Sequence, residues 1–426
     1  EVVWVVGDEA ILKSDVENER LNAQYEGRKF DGDPYCIIPE QLAIQKLFLH
    51  QAAIDSIEVS EQEIISDVER RTNWLIDQIG SKEKVEEYYN KTSTQIREML
   101  RENIRDGKTV QKMQQQIVGD IKITPAEVRR YFKDLPQDSI PFIPTQVEVQ
   151  IITMEPKIPQ EEIERVKKTL RDYTERVTSG EIAFSTLARL YSEDEGSRRR
   201  GGELGFMGRA ELVPEYANVA FNLQDPNKVS KIVESEFGFH IIQLIEKRGD
   251  RINTRHILLK PKVDEKDLEA ALLRLDSIAN DIRNEKFTFD DAATYISHDK
   301  DTRNNHGLMA NPQTGTARFE MQQLAQVSQE AAKMVEGMNV GEISKPFTMI
   351  NAKGKEICAI VKLKTRLNGH KATITEDYQR LKGIVMEKRS EEKLDKWIRD
   401  KQKHTYVRIN EKWQKCDFKY PGWVKK

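Results

Sequence analysis

Gly201-Gly202-Glu203-Leu204-Gly205-Phe206, followed about thirty residues on by Phe237-Gly238-Phe239-His240-Ile241-Ile242, is the most informative stretch of this chain. Glycine at that density suits a turn that needs positive φ or close backbone approach. A histidine inside an apolar, β-branched run predicts a strand that carries one polar side chain into a pocket. Upstream stands Tyr191-Ser192-Glu193-Asp194, and between the two motifs lies Leu212-Val213-Pro214-Glu215-Tyr216.

Outward from this core the pattern occurs twice. Gln146 to Met154 alternates as a strand, and Ile163, Val166, Leu170, Tyr173 and Val177 recur at helical spacing. Thr254 to Leu259 is again a strand, and Leu268, Leu272, Leu275, Ile278 and Ile282 again share a helical face. Phe184 to Ser192 pairs with Phe289 to Ser297, an offset of 289 − 184 = 105 residues. A repeat of that period means duplicated domains, since solenoid periods are far shorter.

The flanks differ. Val2 to Val6 reads as a strand turning at Gly7-Asp8, and Ser14 with Glu17 predicts a capped helix start. Helices follow to about residue 133, with caps at Ser60 and at Thr124-Pro125-Ala126-Glu127. Prolines at 136, 141 and 144 interrupt helix and mark a linker. The tail from His370 is basic, helical through Trp397, and ends in a strand at Tyr406 to Ile409. Its small size favours docking on the N-terminal domain over independence. The expected division is a helical domain 1–134, a linker 135–144, modules 145–249 and 250–367, and a docking segment 368–426. The fold class is α+β.

The chain of 426 residues is too long for one core. Charged residues make up 33%, yet the net charge is −3, so no strong field recruits nucleic acid or an anionic membrane. No run of eighteen apolar residues is available for a membrane helix. The chain opens at Glu1 without a leader, and a removed signal peptide is the expectation. Cys36, Cys358 and Cys416 have no CxxC spacing, which argues against a zinc site or disulfide framework and leaves room for one pair in an oxidising compartment. His298, His306 and His370 are too dispersed to suggest metal ligands, and no cofactor is expected. Trp4, Trp74, Trp397 and Trp413 read as core anchors.

The serine-acid, glycine, apolar-pair and strand-histidine motifs resemble the parvulin type of peptidyl-prolyl cis/trans isomerase, each module a four-stranded antiparallel sheet with helices. The whole chain resembles SurA-type chaperones. Val2 to Arg20, Val59-Ser60-Glu61-Gln62-Glu63-Ile64 and the closing Trp397 to Ile409 carry the likeness outside the repeats. The resemblance implies a periplasmic holdase for unfolded outer-membrane β-barrel proteins and proline-containing peptides.

In parvulins two facing histidines with an adjacent aspartate or cysteine act on the twisted amide, and Met or Leu with Phe seats the proline ring. Carried over, the resemblance assigns Asp194 and His240 to the first module's catalytic set. Gln150 replaces the first histidine, and Leu212, Tyr216 and Phe206 bind substrate. An amide hydrogen-bonds but cannot titrate as imidazole does. The second repeat keeps His256 and Asp299, has Cys358 at the other histidine, and shows a decayed glycine motif, Asn305-His306-Gly307-Leu308-Met309. Weak isomerase activity in the first repeat, and little or none in the second, is therefore expected. A non-catalytic peptide-binding scaffold is the alternative. Arg198-Arg199-Arg200 reads as a solvated loop, with selection of acidic substrates the other reading.

Overall fold

The computed structural model describes residues Glu1–Val424. In chain order the elements are β1 (Val2–Val6), β2 (Glu9–Leu12), α1 (Lys13–Tyr25), α2 (Pro34–Ile54), α3 (Glu61–Ile79), α4 (Lys82–Tyr89), α5 (Ser93–Val118), α6 (Pro125–Asp134), β3 (Phe142–Ile143) and β4 (Gln146–Met154). There follow α7 (Gln160–Thr178), α8 (Phe184–Tyr191), α9 (Glu195–Arg198), β5 (Glu203–Gly208), α10 (Pro214–Ala220), β6 (Val233–Ser235), β7 (Gly238–Arg248) and β8 (Arg251–Leu259). The remainder is α11 (Glu265–Arg283), α12 (Phe289–Tyr295), β9 (Phe319–Glu320), α13 (Met321–Val327), α14 (Gln329–Glu336), β10 (Phe347–Ile350), β11 (Glu356–Leu367), β12 (His370–Lys371), α15 (Tyr378–His404) and β13 (Val407–Ile409).

The chain divides into two units, one of residues 1–72, 86–140 and 372–426, the other of 73–85 and 141–371. The helical unit is closed by both chain ends. Its sheet has the order β13-β1-β2, with Trp4 opposite Ile409. Around Trp4, the rings of Phe418 and Trp423 pack edge-on at 5.2 and 5.4 Å, and Phe48 stacks on Trp397 at 4.7 Å. The buried carboxylate of Glu40 on α2 accepts hydrogen bonds from the Lys419 and Tyr420 amides at 3.0 and 2.9 Å and from the Trp423 indole at 2.9 Å. Beside this clamp, Cys36 and Cys416 form a disulfide across 380 residues of sequence. The first helix begins at Lys13 with Leu12 as its N-cap, two residues before the Ser14 cap expected, and Asp15 accepts the Leu12 amide at 2.8 Å. The caps at Ser60 and Thr124 form as the sequence indicates.

The second unit contains two four-stranded antiparallel sheets, β5-β8-β7-β6 and β10-β11-β4-β9. These orders overturn the expected module boundaries. β4 pairs along its length with β11, at the end of the second repeat, whereas β8 pairs with β7 through the turn at Gly249-Asp250. One module is thus the continuous stretch from α7 to β8. The other takes β4 from before that stretch and α11 to β11 from after it. The hairpin explains the choice: β8 reaches its neighbour across a two-residue turn, with little loop entropy to overcome. β4 and β8 have similar apolar patterns, so alternation alone does not say which sheet each joins. Within the expected linker, β3 pairs with β12.

Each sheet packs helices on one face. Val166, Leu170, Phe184, Leu187, Phe239, Ile241 and Ile257 form that core in the first module. Leu275, Ala279, Phe289, Ile152, Cys358 and Ile360 form it in the second. The opposite faces distinguish the modules.

Candidate active site

Alternation along β7 and β8 puts Ile242, Leu244, Ile252, Thr254 and both His240 and His256 on the face away from α7 and α8. His240 and His256 are buried, their Nδ1 atoms 3.1 Å apart and their ring planes 14° from parallel. At one end, His256 Nε2 lies 2.8 Å from Asp194 Oδ2 and 3.1 Å from Ser197 Oγ. At the other, His240 Nε2 lies 2.6 Å from Ser235 Oγ, which also accepts the Phe237 amide at 3.1 Å. A carboxylate only accepts, so His256 Nε2 carries a proton, and one further proton sits between the two Nδ1 atoms.

The environment separates these groups electrostatically. Burial, then the neighbouring His256, pushes His240 down to about 3, so its imidazole is neutral. Burial raises the Asp194 carboxyl, but the hydrogen bond and charge of His256, with Ser197 and the Gly196 amide, more than offset it and hold the group below the usual carboxylate range. The Tyr216 ring stands edge-on to both imidazoles, at 5.7 Å from His240 and 5.6 Å from His256. Its hydroxyl meets Thr254 Oγ1 at 2.9 Å, and burial lifts it above the usual phenol range. Leu204, Leu212 and Val213 pack on the same cluster.

The glycine motif is required by this arrangement. Gly202, at φ +83°, accepts the His256 amide at 2.9 Å, and a Cβ there would lie 2.2 Å from the His256 carbonyl oxygen. Gly307 occupies the same place in the second module, with a notional Cβ 2.6 Å from the Ile151 carbonyl oxygen.

The structure therefore brings together Asp194, His240, Tyr216 and Leu212, and adds His256, which sequence order placed in the other repeat. Gln150 lies elsewhere: its amide donates to Asp290 Oδ1 at 2.7 Å and to the His306 carbonyl at 2.8 Å in the second module. Phe206, expected in the proline seat, pairs in register with Asn253, out of phase with Thr254 and His256. Arg248 lies over its ring at 4.4 Å. Ser235, Ser197 and Thr254 were not singled out by sequence. Only Ser197 leaves a trace there, as the partner three residues after an N-capping Asp194.

The second module has no such centre. Shared backbone bonds fix its equivalences: the Leu258 and Thr153 amides bond to Ser192 and Ser297, and the His256 and Ile151 amides to Gly202 and Gly307. Ile151 thus stands where the first module has His256, and Ala359, opposite Thr153, stands where it has His240. The expectation that Gln150 and Cys358 replace the histidines is off by one residue in each strand, and one residue reverses the face. Cys358 points into the helix-side core, its thiol 3.7 Å from the Leu268 carbonyl and pushed up to about 11 by burial. Asp299 survives only as a local cap for Thr302 and Asp301. Val149, Ile151, Met309, Phe319, Leu324, Phe347, Met349 and Ala359 fill this face instead.

The sheet, the facing imidazoles and the aspartate define a parvulin-type domain. The family model described as Rotamase, PPIC-type PPIASE domain, matches residues 151–246 and 256–365. A "Chaperone SurA" from Aliivibrio fischeri is 24% identical over 96% of this chain and 91% of its own. A "Foldase protein PrsA" from Caldanaerobacter subterraneus is 27% identical over 52% of this chain and 60% of its own. A solved structure concerning two SurA-like chaperones of Campylobacter jejuni is 9% identical, covering 96% of this chain and 99% of that one. Its TM-score of 0.31 is too low to bear on function. The chain thus carries two domains that match this family model, and along nearly its whole length it is similar to a SurA chaperone. Among the described residues no helix is long and apolar enough to cross a membrane.

Proposed function

We propose that the first module is a working peptidyl-prolyl isomerase and that the second retains the fold without the chemistry. The observation that carries this reading is the line Asp194–His256–His240–Ser235 beneath the Tyr216 and Leu212 surface. Rotation about a prolyl amide crosses a barrier of about 18–20 kcal/mol without covalent change. As the amide twists, conjugation is lost, and an apolar, water-poor seat with fixed polar groups favours the twisted form over the planar one. A neutral His240, held by Ser235 and His256, supplies such groups with no charge to desolvate. Ile151 and Ala359 offer nothing comparable in the second module, which favours binding or support there.

The cellular reading is a periplasmic protein that covers unfolded outer-membrane β-barrel chains, including proline-containing segments. The Cys36–Cys416 disulfide supports an oxidising compartment. Such clients expose unpaired strand edges and aggregate unless covered.

The test uses the full chain. Exchange between cis and trans forms of a proline peptide is measured by NMR for the wild type, His240→Gln and His256→Gln, alongside suppression of aggregation of an unfolded outer-membrane barrel. Catalysis lost in both variants with suppression retained is the expected result. No exchange enhancement by the folded wild type overturns the isomerase reading, and unchecked aggregation overturns the client reading.

A further inference from the structure

The loop that holds Asp194 forms one hydrogen-bonded body with β8. The Gly202 amide donates to the Ser197 carbonyl at 2.9 Å, the His256 amide to the Gly202 carbonyl at 2.9 Å, and His256 Nε2 meets Asp194. Of the arginines at 198–200, the first two are exposed, whereas the Arg200 side chain is only 9% exposed. Its Nε donates to the Glu203 carbonyl at 3.2 Å and its Nη1 to Asp77 Oδ2 at 2.6 Å. One turn earlier on α3, Asn73 donates to the Leu204 carbonyl at 3.3 Å. Residues 73–85 thus belong to the unit of the parvulin modules and grip the glycine turn at two points.

The second module supplies a contrast. By the equivalence of Gly202 with Gly307, Arg200 corresponds to Asn305, which has no cation to offer. The module without the facing pair of imidazoles is also the one without this anchor.

We infer that Asp77 is a positioning residue for the histidine centre, acting through Arg200 to hold the Asp194 loop against His256. This rests on the isomerase reading above for its effect on turnover, but its geometric content does not. A buried guanidinium that loses its carboxylate leaves donors unpaired, so the 198–203 turn must rearrange, and Asp194 and the Gly202 carbonyl move with it. The reading of Arg198-Arg199-Arg200 as a solvated loop therefore holds for the first two residues only.

The experiment compares full-length wild type, Asp77→Asn, Asp77→Glu, Arg200→Gln and the Asp77→Asn/Arg200→Gln pair. Imidazole nitrogen signals are read by long-range proton–nitrogen correlation, assigned with His240→Gln and His256→Gln, and prolyl exchange is measured on the same samples. We expect Asp77→Asn to shift the His256 signals and to lower kcat/KM by about five- to tenfold, carried by kcat. Asp77→Glu should recover part of both, and the pair should cost no more than either single change. Unshifted imidazole signals in a folded Asp77→Asn, or additive losses in the pair, overturn the proposal. If wild type shows no exchange, the isomerase reading fails while the nitrogen signals still decide the positioning. Should Asp77→Asn fail to fold, Asn73→Ala is read in its place, with a smaller shift of the same signals expected and no shift overturning the proposal.

Discussion

His240 and His256 meet at 3.1 Å through their Nδ1 atoms although the 105-residue repeat assigns them to different copies. The contact exists because β7 and β8 form a hairpin, and it makes residues 156–260 a complete module.

Fragment boundaries follow. A piece cut by repeat order, 144–249, lacks the β8 strand between β5 and β7 and lacks His256. It is expected to give a collapsed proton–nitrogen spectrum, whereas 156–260, which holds every strand of the sheet, should give a dispersed one. Two dispersed spectra would show that β4 can substitute for β8.

Stability should fall on acidification through the same pair. In the unfolded chain an imidazole titrates near 6.5, but folded His240 stays neutral down to about 3. The unfolded state therefore binds the extra proton between these values, and stability is lost as pH falls from 6.5. The loss is about 2 kcal/mol by pH 5. Asp194, held low when folded, adds a further loss as pH drops below its ordinary range. Thermal melts at pH 7.5 and 5 should show a larger drop for wild type than for His240→Gln. Equal drops would exclude His240 as the source.

The helical unit should depend on its terminal clamp. Replacing Glu40 by Ala leaves the Tyr420 amide and Trp423 indole without an acceptor in a buried site. A cost of about 2–4 kcal/mol is expected. Reduction of Cys36–Cys416 removes a cross-link worth about 3 kcal/mol. Limited proteolysis should cut residues 410–424 first in either case; protection equal to wild type would count against the clamp.

Much of this was legible in residue order. The glycine turn, the Asp194 cap and the strand around His240 are local patterns, and each formed where its residues stand. The closing of the helical unit by both ends was visible in the small tail, though Phe418, Tyr420 and Trp423 lie beyond the strand that suggested it. The partner of His240 was not legible. Strand pairing is a long-range choice between two similar segments, Gln146–Met154 and Arg251–Leu259, and the sequence pattern of each fits either sheet. The same limit produced the one-residue slips at Gln150 and Cys358, since apolar residues on both faces of a buried strand leave its phase undefined.

The nesting of the chain also sets an order of completion. Read from the N-terminus, the histidine module has its last strand by Leu259, the module around it by Leu367, and the helical unit only when Trp423 arrives. During synthesis from one end, the innermost part can finish first while the outermost waits for residues 407–423. Early release of the chain would leave an intact histidine centre on a protein whose helical unit is still open.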